Sequence, residues 1–120
     1  MNQVFIQGKF PTANEYIDAC RRNRYQAAKM KRDAEQLVML QARWLSPIKQ
    51  RVRIRFVWHE ANRKRDPDNV AFAKKFILDA LQRIGKLKND NAQFIAGFED
   101  WFTYSEGQGV YLEIIPCESG

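Results

Sequence analysis

Between residues 51 and 58 the chain alternates without a break. Arg51, Arg53 and Arg55 fall on one parity, and Val52, Ile54, Phe56 and Trp58 fall on the other. Successive side chains of an extended strand point to opposite faces, so the stretch reads as a β-strand with one apolar and one charged face. An apolar strand face needs a covering layer, and the flanking sequence supplies candidates. Over 23–45 the positions Ala27, Met30, Ala34, Leu37, Val38, Gln41 and Trp44 recur at spacings of three and four with only Gln41 polar, which predicts an amphipathic helix. Its N-terminal half is strongly basic, and Pro47 prevents its continuation because the residue before a proline avoids helical angles.

A second helix is predicted from Asp66. This residue is a good N-cap, Pro67 suits the first helical position, and Val70, Ala73, Ile77, Ala80, Leu81 and Ile84 form one apolar stripe that stops at Gly85. Residues 59–65 are polar and aperiodic, as expected of a loop. A first strand is predicted over 4–10, closed by Pro11, with residues 11–14 carrying turn chemistry. Residues 93–104 and 110–115 read as two further strands joined across 105–109, an arrangement that predicts a hairpin. The expectation is therefore one α/β domain of the α+β type, with about four strands and two main helices.

A length of 120 residues with 45 % hydrophobic composition suits a single domain covering 1–120, with a modest stability margin that dimerisation would raise. The net charge is +6, which favours a polyanionic partner, and its distribution is uneven. Residues 1–65 hold 15 Lys and Arg against 5 Asp and Glu, whereas residues 66–120 hold 5 against 9, so the chain changes sign at Asp66. Cys20 and Cys117 have neither metal-ligand spacing nor a disulfide framework, and no export signal or long apolar run is present, so a cytoplasmic protein without a membrane partner is expected. No internal repeat or interdomain linker is present.

Most catalytic chemistries are poorly supplied. A lone His59 and two remote cysteines make neither a zinc site nor a Cys–His pair, no serine sits in a nucleophile elbow, and no glycine-rich phosphate loop suggests a nucleotide cofactor. Acidic chemistry remains. Asp66 and Asp68 flank Pro67, and residues two apart on a regular helix diverge by about 200°. They converge only at an element boundary, which Pro67 provides by pushing Asp66 toward extended angles while Asp68 enters the first turn. Both carboxylates can then reach one hard cation such as Mg²⁺. The competing reading is an N-cap with an acidic first turn. Arg63, Lys64 and Arg65 stand immediately before the pair, where cations can hold a phosphate.

Lys75 lies two helical turns beyond Asp68 and can approach the same phosphate, with Lys74 as its rival and an i, i+4 ion pair to Asp79 as its structural alternative. Asp90, in a polar loop, reads locally as a turn residue that can add a third carboxylate only if the fold brings it there. The arginine face of 51–55 repeats at about 6.6 Å, near the spacing of phosphates in an extended strand, and reads either as a DNA-tracking ridge or as an ordinary solvated face. Trp58, Trp101, Phe102 and Tyr104 read as core.

Taken together, Arg65-Asp66-Pro67-Asp68-Asn69 opening a helix, that helix ending Phe76-Ile77-Leu78-Asp79-Ala80-Leu81, Asp90 before a strand, and Pro11-Thr12-Ala13-Asn14-Glu15-Tyr16 resemble the RusA family of Holliday junction resolvases, endonucleases of bacteria and their phages and prophages. The likeness spans most of the chain. It implies metal ligation by Asp66, Asp68 and Asp90, the last position falling on Asp90 or Asn91, of which only Asp90 is charged. Anchored on Asp79-Ala80-Leu81, it places the family's lysine on Lys75, with extra residues inside the helix region that keep Lys74 as the alternative. It further implies a homodimer that makes paired symmetric incisions in four-way DNA junctions during recombination and repair. In that scheme Mg²⁺, or Mn²⁺, activates water for in-line attack while Lys75 offsets the growing charge. Arg21, Arg22, Arg24, Lys31, Arg51, Arg53, Arg55, Arg63, Lys64, Arg65 and Lys74 then supply DNA affinity. The alternatives are a noncatalytic DNA-binding module and a nuclease for flaps or forks.

Overall fold

The alternation at 51–58 becomes the central strand of a sheet. A computed structural model describes residues 2–105 and 107–117. In chain order they form β1 (Gln3–Gln7), α1 (Ala13–Arg22), α2 (Arg24–Gln41), β2 (Val52–Glu60), α3 (Pro67–Ala71), α4 (Lys74–Arg83), β3 (Ile95–Tyr104) and β4 (Gly109–Pro116). The strands make one mixed sheet in the order β1-β4-β2-β3, with β2 and β3 parallel and the other pairs antiparallel. The expected α+β class with about four strands is what the chain adopts, and the sheet is mixed.

The core lies on one side of that sheet. Val52, Ile54, Phe56 and Trp58 of β2 are no more than 2 % exposed, and they join Ile6, Val110, Leu112 and Ile114 of the neighbouring strands in a single cluster. Helices α2 and α4 cover this face through Ala34 and Val38, and through Phe76, Ile77, Ala80 and Leu81. The helices are themselves tied by charge. Glu35 of α2 is buried and accepts a hydrogen bond from Arg83 of α4 at 2.8 Å, and Lys31 lies 3.7 Å from Asp79 one turn away. Gln41, the polar exception in the apolar stripe of α2, serves β1: its Oε1 accepts from the Gln7 N–H and its Nε2 donates to the Gln7 carbonyl, both at 2.8 Å. It completes backbone groups at the end of an edge strand that lacks a second neighbour there.

Several expectations are corrected. Residues 11–14 are not only a turn: Thr12 caps α1 in a full capping box with Glu15, so among the described residues a further helix joins the two expected ones. Thr12-x-x-Glu15 is the sequence signature of such a box, and the helix behind it buries only Ala19 outright. The helix expected over 23–45 ends at Gln41, and Trp44 is 71 % exposed rather than part of the core. Strand β2 runs on through His59 to Glu60.

The helix expected from Asp66 to Ile84 is divided at Phe72 and Ala73, where i to i−3 bonds from Ala73 to Val70 and from Phe76 to Ala73 tighten the chain. Its end is as expected, since Gly85 at φ +74° closes a Schellman motif in which Lys86 N–H donates to Leu81 and Gly85 N–H to Gln82.

The expected hairpin does not form. β2 lies between β3 and β4, because α3 and α4 make β3 a parallel neighbour on one side of β2 and leave β4 to fill the gap between β2 and β1. Local turn residues specify that a chain reverses, not that its two arms pair. Glu106 of that connection lies outside the described residues. Among the described residues no helix is long and apolar enough to cross a membrane.

Candidate active site at the start of α3

The site begins where β2 delivers the chain to its loop. Glu60, at the last position of β2, is 6 % exposed. An isolated buried carboxylate is costly, and Arg65 compensates it with Nε at 2.9 Å from Glu60 Oε1. That contact is an ion pair without hydrogen-bond alignment, for Nε and Nη1 of Arg65 have no hydrogen-bond partner, while Nη2 donates to the Phe10 carbonyl at 3.0 Å. Arg65 therefore clamps the loop to the segment before α1. This corrects its place among the DNA-contacting cations, because its guanidinium is turned inward. Arg63 lies over the Tyr104 ring at 4.5 Å and Lys64 is exposed, so these two remain available at the loop surface.

The clamp fixes where Asp66 sits. Its backbone is extended, at φ −69° and ψ 144°, and it occupies the N-cap position with Pro67 entering the helix as expected. Its side chain makes no cap hydrogen bond. Asp68 stands in the first turn of α3, exposed like Asp66, and among the described residues neither carboxylate has a hydrogen-bond or ion-pair partner. The chain thus places two unengaged carboxylates beside Arg63 and Lys64. The helix-cap reading accounts for the backbone of Asp66 but not for its side chain.

The two candidate lysines are in different circumstances. Lys74 donates to Asp100 Oδ2 at 2.7 Å, with its Nζ 4.5 Å from the centre of the Phe98 ring and 5.1 Å from that of Phe56. Trp58 Nε1 donates to the other oxygen, Asp100 Oδ1, at 2.8 Å. Lys74 is thereby held as an internal counter-charge on the helix side of the sheet. Lys75 has a side chain 63 % exposed and lies 3.8 Å from Asp79, an i, i+4 contact of the weak exposed kind. The tightening at Phe72 and Ala73 removes the two regular turns assumed between Asp68 and Lys75. Asp100 itself escaped notice in the sequence. Its signal was parity, since it alternates with Phe98, Phe102 and Tyr104 on the helix-facing side of β3, where a charge requires a partner.

Asp90 is not brought to this site within one chain. β2 and β3 are parallel and start together at Val52 and Ile95, and Asp66 follows the far end of β2 while Asp90 precedes the near end of β3. A nine-residue strand spans about 26 Å. The physical reason is the crossover, because α3 and α4 carry the chain back along the sheet before β3 begins. Among the described residues no three or more His, Cys, Asp and Glu lie close enough together to hold a metal ion. Asp90 is exposed and, like Asp66 and Asp68, has no partner among the described residues.

The other cations divide by what they touch. Arg53 lies 2.9 Å from Glu99, and Arg55 lies 2.9 Å from both Glu99 and Glu113. The hydrogen bond from Arg55 holds the Glu99 carboxyl below the ordinary glutamate range and raises the arginine above its own. On the face expected as a DNA-tracking ridge Arg53 and Arg55 are therefore engaged by acids, because β3 and β4 set Glu99 and Glu113 opposite Arg55 and Arg53 reaches Glu99 diagonally. Arg51 donates to the Ala92 carbonyl, and Lys31 faces Asp79. Arg22 forms an exposed pair with Asp18, Arg24 lies against Tyr25, and Arg21 is exposed beside them at the α1–α2 corner. A scan against protein-family models gives no match for this chain, and a search of curated proteins gives no significant one.

Proposed function

We propose that the chain is a metal-dependent endodeoxyribonuclease acting on branched DNA, of the type represented by the RusA resolvases it resembles. The observation that carries this reading is the pair of unengaged carboxylates, Asp66 and Asp68, held beside Arg63 and Lys64 in a basic protein. Exposed acids here repel a polyanion unless a cation intervenes, and two carboxylates are a sufficient protein contribution for Mg²⁺, which keeps several waters and takes phosphate oxygens as further ligands. The donor set is all oxygen, as a hard cation requires. When bound, such an ion supplies an activated water and neutralises phosphate charge.

The chain's own residues do the rest. Arg63 and Lys64 hold the phosphodiester at the loop, and Lys75, free of any strong partner, offsets charge that grows on the phosphate. Lys74 keeps Asp100 neutralised and leaves the substrate to Lys75. Asp90 enters the site only when a second copy supplies it. The test is incision of end-labelled four-way junctions, forks and linear duplex with Mg²⁺, Mn²⁺ or chelator. Paired symmetric cuts in the junction that vanish with chelator are expected. Tight binding without incision in any metal would overturn the nuclease reading in favour of a noncatalytic DNA-binding module, and preferred cutting of forks would redirect it to another branched substrate.

A further inference from the structure

Between α2 and α4 runs a groove whose lining includes Lys31, Arg32, Glu35 and Met39 of α2 and Arg83 of α4. A second depression, lined in part by Asp79, adjoins it through Lys31 and Arg83. The charges here are layered. Lys31 and Lys75 approach the same oxygen, Asp79 Oδ2, at 3.7 and 3.8 Å, and Arg83 Nε donates to Glu35 at 2.8 Å. The acids are the sunken members: the side chains of Glu35 and Asp79 are 5 % and 22 % exposed, against 36 %, 63 % and 61 % for Lys31, Lys75 and Arg83. Arg32 is exposed and has no partner among the described residues. Four cations thus stand at the rim over two acids below, and the field that leaves the groove is positive. On the open sheet face, by contrast, Glu99 and Glu113 are only modestly less exposed than the Arg53 and Arg55 they engage.

We infer that this groove is a track for the sugar-phosphate backbone of a DNA duplex arm, with Lys31, Arg32 and Arg83 contacting phosphates and buried Glu35 holding Arg83 in place. Arg83 meets Glu35 through Nε, and its two Nη groups make no hydrogen bond among the described residues, which leaves the forked end of the guanidinium for a phosphate. The length suits such a ligand. Lys75 and Arg83 are eight residues apart on α4, a rise of about 12 Å, over which one DNA strand presents three to four phosphates at about 3.4 Å of axis each. The array begins at Lys75 and leads along α4 away from Asp66 and Asp68, so an arm lying in it emerges from the candidate site. A flat anionic bilayer meets protruding surfaces, whereas these cations line a depression. Contact of this kind rests on the proposed DNA partner and needs neither a metal nor incision.

Anisotropy titrations of the full chain with a labelled linear duplex, in chelator, measure the contact apart from any cutting. Arg32→Ala should lower the salt slope by about one and weaken binding roughly eightfold at about 0.1 M salt, the effect of one lost phosphate contact. Arg83→Gln combined with Glu35→Gln removes a rim cation without changing net charge or stranding a buried carboxylate, and should also lower the slope by about one. Lys29→Gln combined with Asp33→Gln, an exposed pair of α2 that lines neither depression, should leave it unchanged. Thermal melts check folding, and Arg32, exposed and unpaired, stays decisive even if the Arg83 and Glu35 variant unfolds. Unchanged slopes in folded groove variants, an equal loss in the Lys29 and Asp33 variant, or Arg32-dependent binding to phosphatidylglycerol–phosphatidylcholine vesicles in preference to the duplex would each overturn the inference. Failure of incision in every metal while the groove variants still lose slope would overturn the nuclease reading and support the track.

Discussion

Truncating Asp66 separates the two roles its position allows. If the side chain caps α3, Asp66→Ala should cost what cap removal usually costs, about 0.5 to 2 kcal/mol. The geometry gives no bond to lose, since Asp66 makes no side-chain cap contact and α3 is only five residues long. What remains is a helix-dipole contribution at an exposed site, less than about 0.5 kcal/mol. The protein holds its own control in Thr12, whose hydroxyl accepts from the Glu15 N–H at 3.1 Å while Glu15 Oε1 accepts from the Thr12 N–H at 3.2 Å. Thr12 is 6 % exposed, so Thr12→Ala should cost about 1 to 2 kcal/mol. For a domain of this size that is a fall in Tm of roughly 4 to 8 °C, against less than about 2 °C for Asp66→Ala. Paired urea and thermal melts measure both, and junction incision with Mg²⁺ is assayed on the same preparations. The expected pattern is an Asp66→Ala protein that is stable and inactive, and a Thr12→Ala protein that is less stable and still cuts when folded. Equal destabilisation by the two changes, or full cutting by Asp66→Ala, would refute the reasoning.

Four other outcomes follow from the same contacts. Lys75→Ala should lower incision at least about tenfold with unchanged stability, whereas Lys74→Ala, which strips Asp100 of a counter-charge only partly exposed to solvent, should destabilise by about 1 to 3 kcal/mol in a thermal melt. Lys64→Ala should reduce the salt slope of junction binding by about one, while Arg53→Ala, already neutralised by Glu99, should leave it unchanged in a fluorescence-anisotropy titration. The Glu99 carboxyl titrates below its unfolded value because Arg55 hydrogen-bonds to it, so the pairing contributes stability above the unfolded glutamate value and loses it as pH falls through the lower folded one; Glu99→Gln should flatten that part of an acid denaturation curve. Mixing inactive Asp66→Asn and Asp90→Asn proteins should restore incision if the two acids meet across copies, and no recovery from two individually dead variants would remove Asp90 from a shared site.

Those features of the fold that depend on residues close in sequence were legible in advance. Parity alone marks β2, because Val52, Ile54, Phe56 and Trp58 needed one buried face and received it. The stop at Gly85 follows from local chemistry too, a positive φ that glycine adopts without strain. What escaped was either thinly encoded or remote. α1 buries little besides Ala19, yet Ala13, Tyr16, Ile17 and Cys20 at helical spacing and the Thr12–Glu15 pair both spoke for it, and the turn reading of 11–14 passed over them. The place of β4 between β1 and β2 depends on which strand edges remain free after the α3–α4 crossover. No stretch of residues 105–109 encodes that.

The same distinction governs the candidate site. Asp66 and Pro67 could be read together because a boundary between loop and helix is a local event, and the extended backbone at Asp66 is where Pro67 was expected to push it. Arg53 and Arg55 could not be read correctly alone, since the acids that pair with them, Glu99 and Glu113, are each more than forty residues away and lie opposite Arg55 in the sheet. Asp90 shows the limit most plainly. A third acid about twenty residues after the first suggests a cluster when the chain is viewed as a line, yet a helical crossover of that length carries it down the whole sheet at about 1.5 Å per residue. One chain therefore ends its helix far from where the helix began, and any site that uses both ends has to be built from two.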